Sequence, residues 1–233
     1  MANESESNPK SGRNVIQEMT ELAGRASESF LDAYGSLDEI ERLCIFDVLS
    51  KLDADHQWAL GEYGVVKTIA VLQAVVREFI RDVVNYRESK GETLPELNKA
   101  KISLEMLRLL KNETFSLGQF ASHTIDLNSF ADIEASFRNY CGTSLLNATK
   151  EAYTMTSPKE VYDLVRDSVQ ALFKKRHIIC HENADVNAIE EGLLRIGIIS
   201  VRIITGTLRR YRELNLKDES SNLKPTLSSH SER

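Results

Sequence analysis

Arg176 and His181 stand five residues apart in the stretch LFKKRHIICHEN, residues 172–183, with His177 and Cys180 between them. A guanidinium is planar, always charged and bidentate toward phosphate oxygens. An imidazole titrates near neutrality and can give or take a proton. These residue types suit cleavage of a ribose-linked phosphodiester. The 2′-hydroxyl must lose a proton to attack the adjacent phosphorus, and the leaving 5′-oxygen must gain one. Charge that builds on the phosphoryl oxygens is met by the guanidinium. No metal is needed for this route, and the 2′-hydroxyl restricts it to RNA.

Blander chemistry fits some of the same residues. Lys174, Lys175 and Arg176 follow Phe173 directly, and cations at a helix C-terminus complement its dipole by roughly 0.3–1 kcal/mol. The two lysines are mostly such helix-end charge, with nonspecific attraction to phosphate as a second role. His177, Cys180 and His181 have the i, i+3, i+4 spacing of metal donors. A structural zinc site closes with four ligands, however, and the sequence offers no companion Cys/His pair. His56 and His123 are isolated, and Cys180 reads as a small buried residue. On a regular helix His177 and His181 share a face, whereas Arg176 and His181 point about 140° apart.

The elements around this stretch read as helices. Val161, Leu164, Val165, Val169 and Leu172 have helical spacing behind Ser157, Pro158 and Glu160, which have the pattern of a capping box with proline at the first helical position. A final helix over about 186–213 starts behind Asn183 or Asp185. Upstream, helices are expected over about 14–33, over 37–52 behind a Ser36/Glu39 box, over 64–89 up to Gly91, and over 94–111. The segment 112–128 reads as an irregular connection, and Ser129 caps a short helix that stops near Gly142. Strand signals are few. The fold class is all-α, a helical bundle.

RHIICH resembles the Arg-polar-x-x-x-His signature of the HEPN superfamily, in the branch that contains the RiboL-PSP-type and related prokaryotic domains. The setting is similar too: the signature closes a penultimate helix, VYDLVRDSVQALFKKRHIICHE, and VLQAVVREFIRDVVNY resembles the early helix that packs beside it. The resemblance covers about 64–213. It implies a HEPN-like bundle with additional N-terminal helices, the HEPN-like domain over 61–215 behind a helical extension over 13–60; residues 1–12 and 216–233, rich in Ser, Asn, Lys and Glu with almost nothing to bury, read as disordered tails. It further implies a metal-independent endoribonuclease with no cofactor, acting in toxin or antiviral-defence systems as a homodimer with a composite active site. Its partners would be RNA and an antitoxin or regulatory protein. Arg176 would then hold the phosphate and His181 transfer the proton, with His177, Lys175 and Asn183 binding or orienting substrate. The alternative within the same family is a catalytically inactive module for dimerisation or for binding RNA, nucleotide or protein. Asn183 stands where HEPN toxins controlled by nucleotidyltransferases often carry tyrosine, so control by tyrosine modification is not supported.

Bulk properties bound these expectations. A formal charge of −6 over 233 residues argues against coating nucleic acid through overall charge. Three widely spaced cysteines make a poor disulfide framework and fit a reducing compartment. The polar N-terminus lacks the apolar core of a signal peptide, and no run is expected to reach the roughly 18 apolar residues of a membrane span. The chain therefore reads as cytoplasmic, with no membrane partner. On the long helix, Arg77, Glu78, Arg81 and Asp82 could face the motif helix, where an acid could orient His181 or pair with Arg176, or else form a solvated ion-pair face. The remaining aromatics, Trp58 included, follow core spacing. LRRYRELN, 208–215, reads as an exposed helix end whose arginines and Tyr211 could extend an RNA path.

Overall fold

The computed structural model describes residues 31–43, 51–95, 97, 116–182 and 191–216. Among them there are α-helices and no strand, so the all-α expectation holds. The helix expected over 14–33 lies almost wholly outside the described residues, as does most of the one over 94–111.

Helix α1, Leu31–Leu43, buries Tyr34, Leu37 and Ile40 on one stripe. Ser36 and Glu39 lie inside it, so they form no capping box there. The apolar stripe already engaged at Tyr34 carries the helix through Ser36. Arg202 clamps α1 to the rest of the fold by pairing with Asp38 and Glu41, the latter at 2.7 Å. The Tyr34 hydroxyl donates to the Arg202 carbonyl at 2.9 Å. Segment 31–43 thus contributes to the main core.

Helix α2, Ala54–Ser89, starts ten residues before its expected beginning. Asp53 caps it, accepting the His56 amide at 3.0 Å. Residues 54–59 at its start are all exposed and so carry no apolar periodicity. From Val65 to Val84 it buries the stripe at the centre of the bundle. One 18-residue window has mean hydropathy 1.4 and would suffice to span a membrane by length and composition, contrary to expectation; a buried core helix passes the same test. The helix also runs through position 60, so the boundary expected between 60 and 61 falls inside one element. Gly91, at φ 71°, supplies the left-handed residue that ends it.

The region read as irregular holds α3, Leu117–Thr124, with a complete capping box. Ser116 Oγ accepts the Gln119 amide at 3.1 Å and Gln119 Oε1 accepts the Ser116 amide at 2.7 Å. Gly118 lets α3 approach α2 closely, since a Cβ there would lie 2.3 Å from both the Arg81 carbonyl and Asn85 Oδ1. Helix α4, Phe130–Cys141, starts at Ser129 and stops at the left-handed Gly142, as the sequence indicates. Helix α5, Leu145–Ala152, capped by Ser144, was not expected.

Helix α6, Pro158–His177, begins at the expected proline, although the Ser157 side chain makes no capping hydrogen bond. It buries Val161, Val165, Val169 and Leu172. Helix α7, Glu191–Asn215, returns antiparallel to it: Ser168 faces Ser200, with hydroxyls 2.7 Å apart, and Leu172 faces Gly197. These two helices bury the penultimate and final apolar stripes against α2.

Candidate functional site

Helix α6 does not stop after His177. It continues as one π-helical turn, Ile178–Glu182, and the Ile178 amide is shared between the Lys174 and Lys175 carbonyls at the join. A π-turn hydrogen-bonds five residues apart instead of four, and such turns recur at functional sites. Each residue therefore advances by less than the 100° of an α-helix. Five residues come closer to a full turn, and Arg176 and His181 lie nearer one side than the 140° of a regular helix allows. His177 and His181 do share a face, with ring centroids 5.0 Å apart.

The whole stretch lies at the solvent boundary. Lys174, His177, Cys180 and His181 are exposed, and Lys175 and Arg176 are half-buried. Only Ile179 packs back against the core among the residues of the π-turn described at side-chain level. Cys180 is thus not the buried filler expected: it is exposed. Asn183 lies outside the described residues. Among the described residues, Lys174, Lys175, Arg176 and His181 make no ion pair and no side-chain hydrogen bond. The last turn of α6 thus presents four basic side chains, Lys174 to His177, at the edge of solvent.

The acids expected to orient His181 lie elsewhere. Arg81 pairs with Glu78 and Asp82, Arg77 donates to the Ser122 carbonyl of α3, and Asp82 pairs with Arg212 at 2.9 Å. Arg212 is 15 residues along α7 from Gly197, which touches Leu172. At 1.5 Å per residue the Asp82 pair is about 22 Å along α7 from that contact. Arg176, one turn past Leu172, lies toward the opposite end of α7. Neither Glu78 nor Asp82 reaches the motif.

Two further expectations change. Tyr211 is not an exposed stacking platform: its ring packs edge-on against Phe137 (5.3 Å between centroids) and Phe79 (5.8 Å), and its hydroxyl donates to the Cys141 carbonyl at 3.2 Å. Burial pushes the Tyr211 phenol and the Cys141 thiol each up to about 12. Conversely Trp58 and Tyr63, assigned to the core by spacing, are 42% and 43% exposed on the first turns of α2. Among the described residues, no group of three or more His, Cys, Asp or Glu comes together to hold a metal, so His177, Cys180 and His181 do not form a three-donor set. His56 is engaged as part of the α2 cap, its ring 2.6 Å from Asp53.

No family model, curated protein or solved structure matches the chain.

Proposed function

We propose that the chain is a metal-independent endoribonuclease of HEPN type, with Arg176 and His181 as its working pair. The observation that carries this is the exposed basic helix end, continued by a π-turn that brings the Arg176 and His181 positions toward one side. Arg176 engages the scissile phosphate through its guanidinium fork. The 2′-oxygen forms a bond to phosphorus as the bond from phosphorus to the 5′-oxygen breaks, leaving a 2′,3′-cyclic phosphate and a 5′-hydroxyl. His181 serves one of the two proton transfers. The other falls to a second imidazole, either His177, whose ring lies beside it, or a histidine of a second copy across a composite cleft. Lys174 and Lys175 add attraction to the RNA backbone without sequence preference. The setting proposed is toxin or antiviral defence in the cytoplasm, under an antitoxin or regulatory partner.

One observation favours a second function, an inactive module that binds RNA or protein. No described carboxylate hydrogen-bonds His181, so nothing among the described residues fixes its tautomer as an orienting acid would. Single-stranded RNA cleavage in EDTA by wild type, Arg176→Ala and His181→Ala separates the two. Cutting by wild type that falls at least about a hundredfold in both variants, the lower range for loss of an acid–base group, supports the enzyme. RNA binding without cutting in any of the three supports the module.

A further inference from the structure

We infer that His177 and His181 chelate a divalent transition-metal ion of the zinc class, and that the ion acts as an inhibitor of the site and not as its cofactor. The geometry carries the binding. The two imidazoles are exposed, project from one face across the π-turn, and have centroids 5.0 Å apart. An ion at 2.0–2.1 Å from each coordinating nitrogen sits roughly 3.2 Å from each ring centre, so two rings that meet at a near-tetrahedral angle have centres about 5 Å apart. The rings already stand at about that separation.

Two imidazoles half-fill a tetrahedral shell, and no third described donor joins them. The remaining positions go to water or to an oxygen of a bound phosphate. The cations beside the pair, Lys174 to Arg176, favour an anionic fourth ligand and disfavour a bare dication. The bound ion therefore recruits phosphate but occupies the nitrogen lone pair through which His181 would accept a proton. Suppression of cleavage rests on the RNA-cleaving function proposed above; the metal site itself does not.

The test is calorimetric titration of the tag-free full-length chain with zinc chloride, alongside RNA cleavage with EDTA and with zinc in excess. One zinc per chain is expected, weakened at least about tenfold by His177→Ala or by His181→Ala, the lower end of what losing even a supporting partner of a ligand costs. Cys180→Ser and His56→Ala leave binding unchanged. Zinc suppresses cutting by wild type, and EDTA restores it. Equal zinc affinity in wild type and both histidine variants overturns the site, even if EDTA-treated protein cuts RNA. Zinc binding that needs both histidines, in a protein that cuts no RNA even in EDTA, upholds the site and removes the nuclease.

Discussion

Gly197→Ala places a methyl group against Leu172 where α6 meets α7. A Cβ built at Gly197 lies 2.4 Å from Leu172 Cδ1 and 2.9 Å from its Cγ. Touching carbon atoms sit about 3.5–4.0 Å apart, so Leu172 must retreat by about 1 Å or more. It has no room, because its side chain is 0% exposed. Overfilling such a site costs about 1–3 kcal/mol, and alanine in place of glycine inside a helix returns about 1 kcal/mol. A net loss of about 1 kcal/mol follows, or roughly 2–4 °C in Tm for a chain of this size. Leu172→Ala alone should cost about 2–5 kcal/mol. In that background the new methyl enters vacated space, so the double variant should be more stable than the sum of the single changes by about 1 kcal/mol or more. Chemical denaturation of the four proteins measures the cycle. A Gly197→Ala protein more stable than wild type, or strict additivity, would refute the close approach. Because Arg176 lies one turn beyond Leu172, any RNA cleavage should also fall in Gly197→Ala.

Other consequences are independent of that packing. With Cys44 replaced by serine, maleimide at pH 8 should label exposed Cys180 readily and Cys141 slowly, because burial holds the Cys141 thiol at about 12; equal labelling rates would contradict the burial. The Asp53 carboxyl is held below its usual range, chiefly by accepting the His56 amide, and His56 is raised, chiefly by the Asp53 side chain. The Asp53 contribution to the α2 cap is complete above about 3.9 and is lost as pH falls through the lowered value, while that of His56 is complete below about 6.5 and is lost as pH rises through the raised one. The cap is therefore strongest between those values, and Asp53→Asn should bring the His56 midpoint, followed by NMR, down toward about 6.5. Replacing Lys174 and Lys175 together by glutamine should reduce the slope of log K for single-stranded RNA against log salt by about 1.4, at about 0.7 for each phosphate left without its cation. An unchanged slope would show that neither lysine meets the backbone.

Where a helix stops or starts on a residue with a single backbone meaning, the sequence was legible. Gly91 and Gly142 take left-handed conformations, Ser129 caps α4, and Pro158 opens α6. Spacing rules failed where packing overrode them. Ser36 and Glu39 have capping spacing but lie within a helix whose buried stripe includes Tyr34. Ser116 and Gln119 had the same kind of spacing and do form a box, yet the short α3 behind them offered too little apolar periodicity to be noticed. The start of α2 was hidden because its first turns bury almost nothing. At the site, the shared face of His177 and His181 followed from their separation. The π-turn did not, because a change in hydrogen-bond register leaves no mark in residue identity.

Cleavage of a chimeric RNA in EDTA, with one ribose replaced by its 2′-deoxy counterpart at a mapped cut site, tests the proposed chemistry most directly. Attack by the 2′-hydroxyl predicts that cutting stops at the substituted position only, that the other sites still end in 2′,3′-cyclic phosphate and 5′-hydroxyl, and that Arg176→Ala and His181→Ala each abolish these products. Cutting at the deoxy position at the wild-type rate, or products that persist unchanged in both variants, would contradict it.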